Sequence, residues 1–202
     1  MQKPTETPET HASIILLAAG NSSRLGRPKQ LLKKQEESLI RFFTQEALKV
    51  SDQVLVILGA YQELIQKEIQ DLPVQILYNL EWQEGMASSI RLGIKTLMES
   101  PQTRPIAILM VCDQPYVQSE ILSSLIKEYL KSDKPIIASE YQNTLGTPVL
   151  FHESFYSELL KLEGSAGAKK IVNSFREQVG KISFPQGHFD IDTPEDLIHL
   201  PF

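Results

Sequence analysis

Ile14-Ile15-Leu16-Leu17-Ala18-Ala19-Gly20-Asn21-Ser22-Ser23-Arg24-Leu25-Gly26-Arg27-Pro28-Lys29 decides the fold. Its first half is an apolar run of strand length. Its second half is a polar loop rich in small residues and punctuated by Arg24 and Lys29, beyond which a helical pattern resumes. Small residues let backbone N–H groups approach phosphate oxygens, and two fixed cations neutralise charge, so the loop suits a polyanion. Its length sets it apart from ordinary βα connections, which are short. It is not a Walker-type loop, because G-x-x-x-x-G-K-[ST] is missing, and Gly20 and Gly26 do not make the G-x-G-x-x-G of a dinucleotide fold.

Outward from this stretch, helical and strand patterns alternate. Residues 38–50 carry apolar side chains at helical spacing, 52–58 form a short apolar run, 62–70 read as helix and 74–78 as strand. Residues 106–111 are the most apolar run and predict the central strand. A helix over 119–131, a strand at 135–139, a turn at 141–147 and a strand at 146–151 come next, then a helix at 168–175 and a strand at 179–184. Such alternation predicts an α/β fold with a mostly parallel sheet covered on both sides.

The 202 residues, 42% hydrophobic with net charge -5, fit one domain over 13–202 behind a flexible polar lead-in at 1–12. That lead-in lacks the apolar segment of a signal peptide, and no run reaches the length of a membrane span. A mildly acidic chain has no general attraction for nucleic acid or an anionic membrane, so any bound phosphate must meet local cations. Cys112, the single cysteine, excludes an internal disulfide and a cysteine metal cluster, and the four histidines lack ligand spacing. A cytoplasmic location is the default expectation.

Four further stretches hold chemistry-bearing residues. Gly85-Met86-Ala87-Ser88-Ser89 opens a helix, where serines serve as caps unless a ligand claims them; Arg91 and Lys95 read as a solvated face. The central strand runs into Cys112-Asp113-Gln114-Pro115. A carboxylate there sits in the crevice where parallel sheets bind ligands and suits Mg²⁺ shared with substrate phosphates; the alternative is a turn or cap residue. By strand alternation Cys112 points away from Asp113. Glu163-Gly164-Ser165-Ala166-Gly167-Ala168-Lys169-Lys170 is a second small-residue loop at a helix start, suited to a second phosphate. Asp190 and Asp192 alternate with Ile191, so on a strand both face one side, and Thr193 reads as the cap of a helix beginning at Pro194.

The order Ala-Ala-Gly-x-Ser-x-Arg-x-Gly-x-Pro-Lys at 18–29 is succeeded by Gly-Met-x-x-Ser at 85–89, Asp-Gln-Pro at 113–115, Gly-Thr-Pro at 146–148 and Asp-Ile-Asp-Thr-Pro-Glu-Asp at 190–196. This series resembles the nucleotidyltransferases related to the molybdenum cofactor guanylyl- and cytidylyltransferases, across residues 13–197. The resemblance implies a Rossmann-like, glycosyltransferase-A type three-layer sandwich. It also implies Mg²⁺-dependent transfer of CMP from CTP to the phosphate of molybdopterin or molybdenum cofactor, releasing pyrophosphate, with a molybdenum hydroxylase as a candidate partner.

Under the resemblance Arg24, Lys29 and Asp113 are catalytic, and Leu17, Ala18, Ala19, Gly20, Ser22, Ser23, Gly85, Ser88 and Ser89 join Arg24 and Lys29 around the nucleotide. Gly146, Thr147, Gly164, Gly167 and Lys169 face the acceptor. The metal falls to Asp113 with Asp190 or Asp192, Asp190 being favoured. The usual Gly-Asp-x-Gly-Ala-Arg of the acceptor loop has Ser165 for the acid and Lys169 for the arginine, which keeps the charge but loses the bidentate fork and leaves the acceptor open. The rival readings are transfer to another phosphorylated acceptor such as a sugar phosphate, and a non-catalytic protein that carries the molybdenum cofactor.

Overall fold

Alternate residues of a strand point to opposite faces, and here each face of one sheet is covered by its own helices. The structure, a computed structural model, describes residues 12–199 without 35 and 103. In chain order the strands are β1 (Ala12–Ala18), β2 (Lys33–Lys34), β3 (Glu37–Ser38), β4 (Val54–Leu58), β5 (Gln75–Tyr78), β6 (Ile106–Val111), β7 (Ile136–Tyr141), β8 (Thr144–His152) and β9 (Val179–Ser183). The helices are α1 (Leu39–Leu48), α2 (Gln62–Gln66), α3 (Met86–Glu99), α4 (Ser119–Lys131), α5 (Tyr156–Leu159) and α6 (Ala168–Ser174).

Seven strands form a sheet in the order β5-β4-β1-β6-β8-β7-β9, with β2 and β3 paired separately. β8 alone runs against its neighbours; the other pairings within this sheet are parallel. On one face Ile14, Leu16, Val56, Ile108 and Met110 pack with Leu39, Ile40 and Phe43 of α1 and with Leu122 and Leu125 of α4. On the other, Ile15, Leu17, Ile57 and Leu109 pack with Ile90 and Ile94 of α3, Leu159 of α5 and Ile171 of α6. Full burial of each such side chain contributes about 1.5–3 kcal/mol. Gly93 lets α3 sit close on β1: a Cβ there would stand 2.9 Å from Ile15 Cγ2. The architecture is the expected three-layer, Rossmann-like sandwich with a mostly parallel sheet.

Several boundaries differ from expectation. Ala12, placed in the lead-in, is a buried residue of β1; the rest of that lead-in lies outside the described residues. The turn expected over 141–147 shrinks to Gln142 and Asn143, both left-handed (φ 46° and 59°), the backbone a two-residue hairpin requires. Gly146 and Thr147 lie on a strand as expected, but β8 begins earlier, at Thr144. A bulge there pairs Ala138 with Val149 and Ser139 with Gly146, leaving Thr147 and Pro148 out of register. Residues 189–193 form no strand, since Ile191 donates to the Asp113 carbonyl (2.9 Å) with no neighbouring ladder. Thr193 stands directly before the helical turns of Pro194–His199. Asp196 folds back on it, accepting from the Asp192 N–H, the Thr193 N–H and the Thr193 hydroxyl, the N3-acid half of a capping box. No helix among the described residues is long and apolar enough to cross a membrane.

Candidate active site

The ligand side of a parallel sheet is the carboxyl end of its strands, where chain direction brings several loops together. Beyond β1, Ser22 takes a left-handed conformation (φ 52°) and organises the loop: its carbonyl accepts from the Leu25 and Gly26 N–H groups, and its hydroxyl from the Lys29 N–H. This fold-back returns Lys29 to the sheet. Its ammonium donates to Asp192 (2.7 Å) and Asp113 (3.2 Å), while Arg24 pairs with the other Asp192 oxygen (2.9 Å). Burial opposes charge on Lys29, but Asp113 and Asp192 outweigh it and raise its pKa. Asp190 completes the carboxylate group without an ion-pair partner among the described residues. Its carboxyl is pushed up to about 7, chiefly by desolvation, with the charges of Asp113 and Asp192 adding to it. The side chain reaches solvent at the mouth of the site while protein fills most of the space around it.

Beside this cluster lies a cleft of about 370 Å³, floored by Ala18, Ala19 and Gly20 and closed at one end by Lys29 and Asp113. Its opposite wall is Trp82, Gly85, Met86 and Ser89. The first turn of α3 has no side-chain cap; the Ala87 N–H goes to the Gly164 carbonyl (3.2 Å), and the positive end of the helix dipole at that wall favours negative charge. Gly85 is required at the entry: its φ is 126°, and a Cβ would collide with the Gly164 carbonyl. The wall is braced from behind. Arg91 grips Glu84 through both carboxylate oxygens and donates to the Leu162 carbonyl (2.7 Å), and Glu84 accepts from the Gly164 N–H (3.1 Å). The Arg91 bonds and the Gly164 N–H lower the Glu84 carboxyl to about 2. Buried Asn79, just beyond β5, donates to the Ser88 and Ser89 hydroxyls (2.8 and 2.9 Å) and accepts from the Glu81 N–H.

The structure sorts the expected site residues. Leu17, Ala18, Ala19, Gly20, Lys29, Gly85, Ser89 and Asp113 line one cleft, and Arg24, Asp190 and Asp192 gather at its Lys29 end. Ser22 holds the loop's shape, and Ser23 is an exposed residue whose N–H bonds Asn21. Ser88 does not line the cleft, its hydroxyl donating to the Gly85 and Glu81 carbonyls. The acceptor set divides. Thr147 and Gly146 lie beside Tyr141, whose hydroxyl is held protonated by burial and by the nearby Asp190 charge. Gly164 and Gly167 instead pack under Gly85 and Met86; both backbone groups of Gly164 are used by Glu84 and Ala87, so its N–H is not free for a phosphate. Lys169 is exposed on α6. Arg91, expected on a solvated face, is a brace. Cys112 is buried and its thiol raised by desolvation, which leaves it no nucleophilic role. Trp82, Asn79 and Gln30 join the site unexpectedly. A lone tryptophan three residues before Gly85 is the available signal for Trp82; Asn79 and Gln30 have none.

Among the described residues no three His, Cys, Asp or Glu side chains cluster as a ready-made metal cage. Asp113 and Asp192 share one ammonium, however, so a pair of carboxylates is within reach of one cation. That fits Mg²⁺ or a similar ion, which takes one or two carboxylates and completes its shell with water and phosphate.

Residues 14–179 match the MobA-like NTP transferase domain. Escherichia coli molybdenum cofactor cytidylyltransferase is 21% identical over 185 residues, 91% of this chain and 92% of that protein. The bifunctional protein GlmU of Campylobacter jejuni is 26% identical over 168 residues, 80% of this chain and 37% of that protein, so the chain spans little more than a third of this relative. Mycobacterium tuberculosis Rv0371c superposes with a TM-score of 0.79 at 28% identity over 95% of this chain and 97% of that one. The same mycobacterial protein has been crystallised with manganese (TM-score 0.75, 25% identity, 95% and 98% covered). The match takes in both the loop beyond β1 and the strand that delivers Asp113, and the chain belongs to the MobA-like NTP transferase family of nucleotidyltransferases.

Proposed function

We propose that this nucleotidyltransferase moves CMP from CTP to the terminal phosphate of molybdopterin or molybdenum cofactor and depends on Mg²⁺. The observation that carries the reading is the junction of two cations with three carboxylates at the end of a cleft floored by small residues. The acceptor phosphate attacks the α-phosphorus, a phosphoanhydride bond forms, the α–β bridge bond breaks and pyrophosphate leaves. Such a displacement needs alignment and charge neutralisation more than a protein nucleophile. Lys29 and Arg24 neutralise the triphosphate; the Ala18–Gly20 backbone and the first turn of α3 hold the nucleotide; Asp192 keeps both cations in place. Asp113 and one of Asp190 and Asp192 are the metal ligands, Asp190 being favoured because both oxygens of Asp192 already hold the cations. When bound, the ion supplies Lewis-acid polarisation of the phosphates. Thr147 and Gly146, which lie against the same Tyr141 hydroxyl that feels the Asp190 charge, form the acceptor side.

The test is pyrophosphate release from CTP, GTP, ATP and UTP in turn, with molybdenum cofactor and with sugar phosphates as acceptors. Release with CTP and molybdenum cofactor alone supports the full assignment. Release with a sugar phosphate transfers the same chemistry to the rival acceptor. Nucleotide binding without release from any acceptor favours a carrier of the cofactor.

A further inference from the structure

Gln30 lies immediately after Lys29, is 2% exposed, and has no part in the phosphate chemistry. Its amide nitrogen donates to two carbonyls of the β1 loop, Ala18 (2.8 Å) and Gly20 (2.9 Å). The carbonyl between them, Ala19, accepts from the Ala60 N–H (3.0 Å). Three consecutive carbonyls at the cleft floor are therefore held by protein donors. Among the described residues no protein acceptor takes the N–H groups of Gly20 and Asn21. A carbonyl turned toward a phosphate repels it, whereas an N–H attracts it, so the rotation of these peptide groups decides whether the floor accepts an anion.

The other end of the Gln30 amide gives independent evidence. Its Oε1 is buried with no hydrogen-bond partner among the described residues, an unfavourable state that an apolar side chain of similar size avoids. Stability alone does not explain a glutamine here. We infer that Gln30 is a positioning residue for nucleotide binding: its amide nitrogen turns the Ala18–Gly20 carbonyls away from the ligand so that the floor presents N–H groups to it. This rests on the proposed nucleotidyltransferase reading and deepens it.

The test compares wild type with Gln30→Met, which keeps size and removes both donors, and Gln30→Glu, which sets a carboxylate against the two carbonyls. CTP binding with Mg²⁺ is measured by calorimetry, turnover by pyrophosphate release, and stability by thermal melting. Gln30→Met is expected to raise the CTP Kd and KM by about ten- to thirty-fold, the equivalent of one to two neutral hydrogen bonds, with kcat at saturation falling less than about threefold. Gln30→Glu weakens binding at least as much, and both variants melt within a few degrees of wild type. Binding by Gln30→Met within about twofold of wild type overturns the inference. A melting loss that tracks the affinity loss in both variants also overturns it, by assigning Gln30 to stability. Wild-type protein that binds no CTP refutes the nucleotide reading itself, a result distinguishable from either.

Discussion

Replacing Lys29 with methionine removes the one ammonium that bonds both Asp113 and Asp192 while keeping a chain of similar length. The side chain is 13% exposed and its partners are 28% and 33% exposed, so water screens the pairs only in part. Hydrogen bonds to charged groups contribute about 1.5–3 kcal/mol each when well buried; the solvent-facing side of both carboxylates brings the combined loss of stability to about 1–3 kcal/mol. The catalytic loss is larger, because a cation fixed against developing phosphate charge is worth about a hundred- to a thousandfold in turnover. Lys29 has a raised pKa, so its contribution is fully present below its ordinary value of 10.5 and is lost only as pH rises through the folded-state value above that. The melting difference between Lys29→Met and wild type is therefore expected at pH 9 as at pH 8, and pyrophosphate release shows the rate loss at both. Turnover within about threefold of wild type, or a melting difference that vanishes by pH 9, refutes the reasoning.

Other perturbations separate the roles around the cluster. Asp190→Asn is expected to lose about a hundredfold or more in metal-dependent turnover yet melt higher at pH 8. With the Asp190 pKa raised to about 7, the penalty it brings is complete above that pH and disappears as pH falls toward 3.8; melting curves at pH 4 and pH 8 check the sign. Glu84→Gln tests the brace behind the cleft. Its pKa is lowered to about 2, so its stabilisation is present above 4.5 and is lost as pH falls toward 2, and the gap between variant and wild type should close over that window. Asn79→Ala leaves the Ser88 and Ser89 hydroxyls and the Glu81 N–H without their buried partner, a cost of about 2–3 kcal/mol readable in denaturant unfolding.

What could be read in the sequence depended on how local its cause was. The bounds of β6 and α4 come from unbroken apolar periodicity, and both agree with expectation. Asp113 and the small-residue loop were legible because they leave strand ends directly, and Lys29 because it stands at a set place in that loop's pattern. Asp190 and Asp192 were expected on a strand, since alternation looks the same in a segment whose backbone meets the sheet through the Ile191 N–H and the Asp113 carbonyl and forms no ladder. Arg91 reads as a surface residue because its partners lie beyond the helix start, at Glu84, and on a separate loop, at Leu162. Thr193 and Asp196 belong to a recognisable capping pattern, and Asp196 accepts from the Thr193 N–H and hydroxyl within it. Gln30 gives no signal, because a polar residue in a short turn reads as surface until the fold closes over it.

The most direct measurement is pyrophosphate release from CTP with molybdenum cofactor, run with wild type and Asp113→Ala in Mg²⁺ and again after chelation. The account predicts release by wild type in Mg²⁺, its loss on chelation and its return on adding the ion back, with Asp113→Ala folded but silent throughout. Release that survives chelation, or near-normal turnover by Asp113→Ala, contradicts it.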